Sequence, residues 1–311
     1  MSRVCVLRIL AGAVVACALT GCFTGIESTP RITGDAVRQA GVTVSSEQEY
    51  MGAVVPEPPA RWRPGKEWQV ADDKIGVIFT AASESRSLLA GTRMSLLGAE
   101  PYLGVAGDTL VELAFTTAAH DTLLYRPGAT MADFRRRRSL EIPFTVELSA
   151  VHVADSLLRG RTLYITTPQW RDASGALVQG LRHVAVKVDS VAPGTDRYPL
   201  RLCFTPEDSG GRAYSVLMTY GHGAAATRNF ERLFAFDNPR LKYPRITPAT
   251  WELIVHSRVT DGMSRDECRL ALGAPASIDR AANNGGQYER WNYDQGIYLI
   301  FEDGILIRYR Q

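Results

Sequence analysis

The chain has 311 residues, 45% of them hydrophobic and 22% charged, with a formal net charge of +2. That is ample apolar material for folded cores, and the near-neutral balance gives no electrostatic reason to expect nucleic acid as a partner. Arg3 and Arg8 open the chain, and Ile9 to Leu19 follows as an apolar run of signal-peptide length, too short to span a bilayer. Removing residues 1–21 takes two of the 35 basic residues and leaves 33 against 33 acidic ones. The remaining length, about 290 residues, suits two or three small domains. No later apolar run is long enough to cross a membrane.

The run ends in Leu19-Thr20-Gly21-Cys22. These four residues resemble the lipobox of bacterial lipoproteins. The resemblance implies cleavage between Gly21 and Cys22 and acylation of the Cys22 thiol, palmitate included. Small residues at 20 and 21 suit a narrow protease site, and two or three acyl chains give a stable anchor without a transmembrane helix. An ordinary secretory signal with an incidental Cys22 is the alternative. In such lipoproteins an aspartate after the cysteine retains the protein in the inner membrane. Phe23 stands there instead and implies the outer membrane. With only Glu27 nearby as an acid, the periplasmic face is expected.

Residues 22–66 read as a lipid-anchored tether, poor in periodicity and carrying Pro56, Pro58, Pro59 and Pro64. Two β-rich domains are expected next, over 67–134 and 135–246. Aligning Leu88-Leu89-Ala90-Gly91 with Leu157-Leu158-Arg159-Gly160 makes each segment read β-run, short helical stretch, Leu-Leu, Gly, β-run. Each glycine suits a helix C′ position. A duplication and two unrelated β-rich segments both fit that pattern, and pairing Leu110/Glu112/Phe115 with Leu200/Leu202/Phe204 needs an insertion. Leu200, Leu202 and Phe204 alternate with Arg201, Cys203 and Thr205, as a half-buried strand should. Between the segments, Arg135–Arg138 reads as a solvated linker or a contact for lipid phosphates, diluted by Asp133 and Glu141.

Cys5 and Cys17 leave with the signal and Cys22 is acylated. Cys203 and Cys268 remain as one pair in an oxidising compartment. A disulfide between them would tie two domains together; two free thiols is the other reading.

Residues 247–311 read as a module of their own. Thr247-Pro248 is an N-cap with Pro at the first helical position, and Trp251, Ile254 and Val255 share one helix face. Ser264 and Glu267 form a capping box, flanked by Met263 and Cys268, and Gly273 with Pro275 ends the second helix. Asp303-Gly304 signals a type I′ hairpin between "GIYLIFE" and "ILIRYR". Ile297, Leu299 and Phe301 are expected on one face, with Ile305, Ile307 and Tyr309 covering the partner strand. The fold class is therefore α+β: two β-rich domains followed by an α-α-β-β-β module. Val259-x-x-Gly262-Met263-Ser264, Leu272-Gly273-x-Pro275, Trp291-x-Tyr293 and Phe301-x-Asp303-Gly304 are together similar to the BamE (SmpA/OmlA) family of outer-membrane lipoproteins. That resemblance implies a helix-helix-sheet fold and a role beside the β-barrel assembly machinery. The rest resembles multi-domain lipoproteins to which no activity attaches.

No chemistry-bearing motif is apparent. His120, His152, His183, His222 and His256 lack zinc spacing, so no metal or other cofactor is expected. Gly-His222-Gly is the most site-like of them and reads as a loop. Asp72-Asp73 and Glu207-Asp208 lie near turns and do not make a calcium loop. Nucleophile-elbow, phosphate-loop and dinucleotide motifs are absent. Tyr288, Trp291, Tyr293 and Tyr298 are the candidate partner surface, being hot-spot residue types as well as ordinary sheet formers. The sequence thus points to a non-enzymatic envelope scaffold held by lipid through Cys22 and facing an envelope protein. An inhibitor or binder of a periplasmic hydrolase or envelope glycan is the alternative. An enzyme using a site assembled from distant residues is the third class.

Overall fold

The structure is a computed structural model that describes residues 45–81, 88–207, 209–220, 228–283 and 286–311. Among the described residues, seventeen strands form three antiparallel sheets, and the fold is of the α+β class. The first sheet comprises β1 (Glu67–Val70), β2 (Phe79–Ala81), β3 (Arg93–Leu103), β4 (Thr109–Thr117), β5 (Thr122–Tyr125) and β6 (Thr145–Glu147), ordered β2-β5-β4-β3-β1-β6. Strand β4 buries every second residue, with Val111, Leu113 and Phe115 fully covered, as a one-sided sheet demands. Trp62, Trp68 and Phe115 meet edge to face in that core at 4.8 and 5.3 Å.

The second sheet comprises β7 (Thr162–Ile165), β8 (Gln169–Arg171), β9 (Leu177–Gln179), β10 (Val184–Pro193), β11 (Leu200–Pro206), β12 (Tyr214–Met218) and β13 (Phe234–Ala235), ordered β13-β7-β10-β11-β12-β8-β9. Leu200, Leu202 and Phe204 are fully buried on β11, as their alternation requires. The helix Leu148–Leu158 covers this sheet through Val151, Ala154 and Leu158.

Three expectations change at this level, and one open alternative is narrowed. The expected tether at 22–66 is folded from residue 45 onward. Met51 and Val54 enter the second core, Trp62 enters the first, and Tyr50 donates to Leu157 O at 2.7 Å. Sparse apolar anchors between prolines dock a segment that has no periodicity of its own. The expected boundary at 134/135 gives way next, because β6 pairs with β1, Trp68 opposite Glu147. The first sheet therefore closes only at residue 147, where the covering helix of the second begins. Thirdly, Gly91 and Gly160 share positive φ, +93° and +79°, yet Leu110 and Glu112 lie on the face of β4 opposite to Phe115. Strand parity therefore breaks the proposed pairing with Leu200 and Leu202. Lastly, Cys203 is half-buried on β11 and Cys268 lies in a different core, and both are free thiols.

The third sheet follows two helices, α1 (Pro248–Val255) and α2 (Arg265–Leu272), and runs β14 (Ser277–Asn283), β15 (Gly286–Asn292), β16 (Tyr298–Glu302) and β17 (Ile305–Arg310) as a meander. Four strands stand where three are expected. The stretch Ser277–Asn283 holds too little apolar patterning to announce itself, and it pairs through its backbone with β15. Thr247 caps α1, and both hydrogen bonds of the Ser264–Glu267 capping box are made on α2. Asp303 and Gly304 have φ of +47° and +88°, the two positive values a type I′ turn needs. The two-residue turn sets Leu306 opposite Phe301, and a register shift beyond it sets Arg308 opposite Ile300 and Tyr309 opposite Leu299. Leu306 is buried, while Ile305, Ile307 and Tyr309 are 45%, 44% and 38% exposed. The common facing expected of Ile305, Ile307 and Tyr309 thus fails at Ile305, opposite Glu302, and at the unpaired Ile307.

Candidate functional site

Gly21 and Cys22 lie outside the described residues, as does His222. The four candidate aromatic residues divide between the two faces of the third sheet. Trp291 is 1% exposed and packs on Phe301 with ring centroids 4.6 Å apart. Tyr293 is half-buried and donates to Gly273 O at 3.2 Å, and burial pushes its phenol up. These two belong to the core under α1 and α2 and are withdrawn from any partner surface. Beside Trp291, Glu289 sits on the same inner face. Burial by itself would raise its carboxyl, but the indole of Trp291 at 3.0 Å and Arg280 at 3.2 Å overcome this and hold it below the usual range. Arg265 Nε stands 3.1 Å from the same carboxylate, outside hydrogen-bond geometry, and adds its charge.

Tyr288 and Tyr298 point the other way. Strand alternation and the ladder register place Tyr288, Arg290, Tyr298, Ile300, Arg308 and Arg310 on the outer face. The helices cover only the inner face. Arg290 lies over the Tyr298 ring at 4.8 Å and donates to Asn292 Oδ1 at 3.0 Å. Tyr288 donates to Glu302 at 2.5 Å, a bond that raises its phenol. Asp279 accepts from Asn292 at 2.9 Å. Both acids of this face are thus engaged locally, while Arg308 and Arg310 stand exposed at the edge strand. The result is a rigid Tyr/Arg surface with Ile300 within it. The arginines and Ile300 escaped the sequence reading. Alternation along 286–292 and 298–302 could have found Arg290 and Ile300, whereas the bulge hides the facing of β17.

Other chemistry-bearing groups resolve into structural roles. His120, His152 and His256 are exposed. Among the described residues, no three His, Cys, Asp or Glu side chains are placed for one metal ion. Arg135–Arg138 is exposed, with Arg136 paired to Asp133 at 2.5 Å. Lys66, only 6% exposed, donates to Glu57, Glu147 and Ser149 at 2.9, 2.8 and 2.7 Å. An ammonium engaged by two carboxylates has no lone pair with which to activate Ser149, so this is a buried ion-pair network. A groove of about 750 Å³ lies over Trp170. Gly180 packs against that indole so closely that a Cβ would fall 2.0 Å from the ring. Ser209, at the groove, donates to Pro206 O at 2.8 Å. No helix among the described residues is long and apolar enough to cross a membrane.

Comparison with protein-family models, with curated proteins and with solved structures finds no match.

Proposed function

We propose that this chain is a lipid-anchored envelope protein, tethered through an acylated Cys22, whose terminal module holds a protein partner on the outer face of its sheet. The observation that carries the reading is the one-sided cover of that sheet. Helices α1 and α2 take the inner face, and the other face presents Tyr288, Arg290, Tyr298, Arg308 and Arg310. Tyr and Arg are the residue types that anchor interfaces, and an uncovered rigid sheet face costs little entropy to engage. Three arginines, against two acids already hydrogen-bonded to neighbours, favour an acidic protein surface. The helix-helix-sheet layout and the Gly-Ala-Pro stop support a BamE-like reading of this module, extended by a fourth strand. The lipobox-like residues and Phe23 support placement at the outer membrane on its periplasmic side, and hence a part in envelope assembly or maintenance. The two larger sheets act in this reading as a spacer between the anchor and the module.

Photoreactive residues placed at Tyr298 and Arg308 in intact cells test it. The expected result is one discrete adduct with an envelope protein, not obtained from Leu241, which is 78% exposed elsewhere. Labelling identical at all three positions overturns the docking face. A soluble hydrolase in the adduct would move the reading to an inhibitor using the same face. Cys22→Ser should release the chain from the membrane fraction, and retention there overturns the anchor.

A further inference from the structure

The outer face of the third sheet leaves unused a cationic cleft elsewhere in the molecule. A cleft of about 520 Å³ opens where the loop after β7, the pair Arg182–His183 and residues 228–233 meet α2 of the terminal module. Among the described residues its walls carry Arg182, Arg228, Arg232 and Arg269 against one acid, Asp266. Asp266 stands at the rim, its side chain 75% exposed and 3.9 Å from Arg269, where solvent screens it.

Arg182 and Arg228, both half-buried, find only neutral acceptors among the described residues. Arg182 donates to Thr166 O at 2.9 Å, Leu272 O at 3.3 Å and Ser257 Oγ at 3.1 Å. Arg228 donates to Leu217 O at 2.9 Å and to Gln169 Oε1 at 3.0 Å. Burial pulls the Arg182 guanidinium down to about 10 and lowers Arg228 as well. A guanidinium keeps its proton at neutral pH, so the charges of Arg182 and Arg228 meet no carboxylate among the described residues. His183, 9% exposed, also lines the cleft. Its Nε2 is satisfied by Leu270 O at 3.0 Å, and its Nδ1 has no partner.

We propose that this cleft binds a phosphomonoester group. Four guanidinium groups from three segments border one volume, which suits the several acceptor oxygens of a tetrahedral dianion better than the two of a single carboxylate. The volume leaves room for the substituent carried by the phosphate. The donors come from both the second sheet and the terminal module, so occupancy would also brace that junction. The site shares no residue with the proposed docking face, and either can fail without the other.

A phosphomonoester could reach the cleft as a soluble ester or as a lipid headgroup, and two assays separate these sources. The Cys22→Ser chain is titrated calorimetrically with glycerol 3-phosphate, and floated with phosphatidylcholine vesicles with and without phosphatidic acid. Saturable binding to the ester, or flotation that depends on phosphatidic acid, is expected. It should weaken at least tenfold in Arg228→Gln/Arg269→Gln, and in Arg269→Gln alone by a smaller factor. Arg93→Gln, exposed on β3 of the first sheet, should leave it unchanged. Response to the ester alone assigns a soluble ligand, and response to the vesicles alone assigns a headgroup. Absence of both, or affinity within twofold of the parent in a folded double variant, overturns the proposal.

Discussion

Trp291 is the sharpest test of which aromatic residues build the terminal module and which are offered to a partner. Its indole is 1% exposed, packs against Phe301 at 4.6 Å, carries Arg269 over one face at 4.9 Å, and donates to Glu289 at 3.0 Å. Truncation of a buried tryptophan to alanine costs about 3–5 kcal/mol. A hydrogen bond to a charged group contributes about 1.5–3 kcal/mol of such a loss. Trp291→Phe keeps most of the packing and should therefore fall between Trp291→Ala and the parent. At a urea slope of ~2 kcal/mol/M, the alanine variant should lower the midpoint of the terminal module's transition by about 2 M. Hydrogen–deuterium exchange over peptides from 286–302 would show that the loss is local to this module. Tyr298→Ala, on the outer face, should cost less than about 1 kcal/mol. An unchanged midpoint in Trp291→Ala, or an equal fall in both variants, would refute the division of the sheet into a packed and an open face.

Three further outcomes are expected. Ser264→Ala removes the side chain that accepts from Glu267 N at 3.3 Å and should lower the same transition by ~1 kcal/mol; no change would mean that the cap is idle. Glu289 has a carboxyl held below its ordinary 4.5, so its contribution is complete above that value and is lost as pH falls through the depressed folded pKa. A urea midpoint followed from pH 7 to pH 3 should fall less steeply in Glu289→Gln, and parallel curves would contradict the assignment. Burial pushes the Cys268 thiol up to about 12, so alkylation at pH 8 mapped to that residue should be negligible in the native chain and complete in denaturant without reductant.

Local punctuation in this chain was legible from residue order. The capping box at Ser264 and Glu267, the N-cap Thr247, the Asp303-Gly304 turn and the alternation of Leu200, Leu202 and Phe204 each depend on neighbours within a few residues, and each appears where residue chemistry puts it. Features decided by distant partners were not legible. Residues 45–66 look like a linker because Met51, Val54 and Trp62 have no periodicity, and only two separate cores give them a place. Ser277–Asn283 becomes a strand because β15 offers its backbone a partner. One residue of register at Ile300 decides which way β17 faces, and hence which side chains a partner would meet.

What the amino-acid order determined alone is therefore the set of turns and caps, the alternating strands and the α+β class, because those energies are short-range. Tertiary structure decided the sheet membership of β6, the burial of Trp291 and the gathering of Arg182, Arg228, Arg232 and Arg269 at one cleft. Burial and charge juxtaposition are properties of the space between segments, and residues far apart along a chain carry no local trace of meeting there.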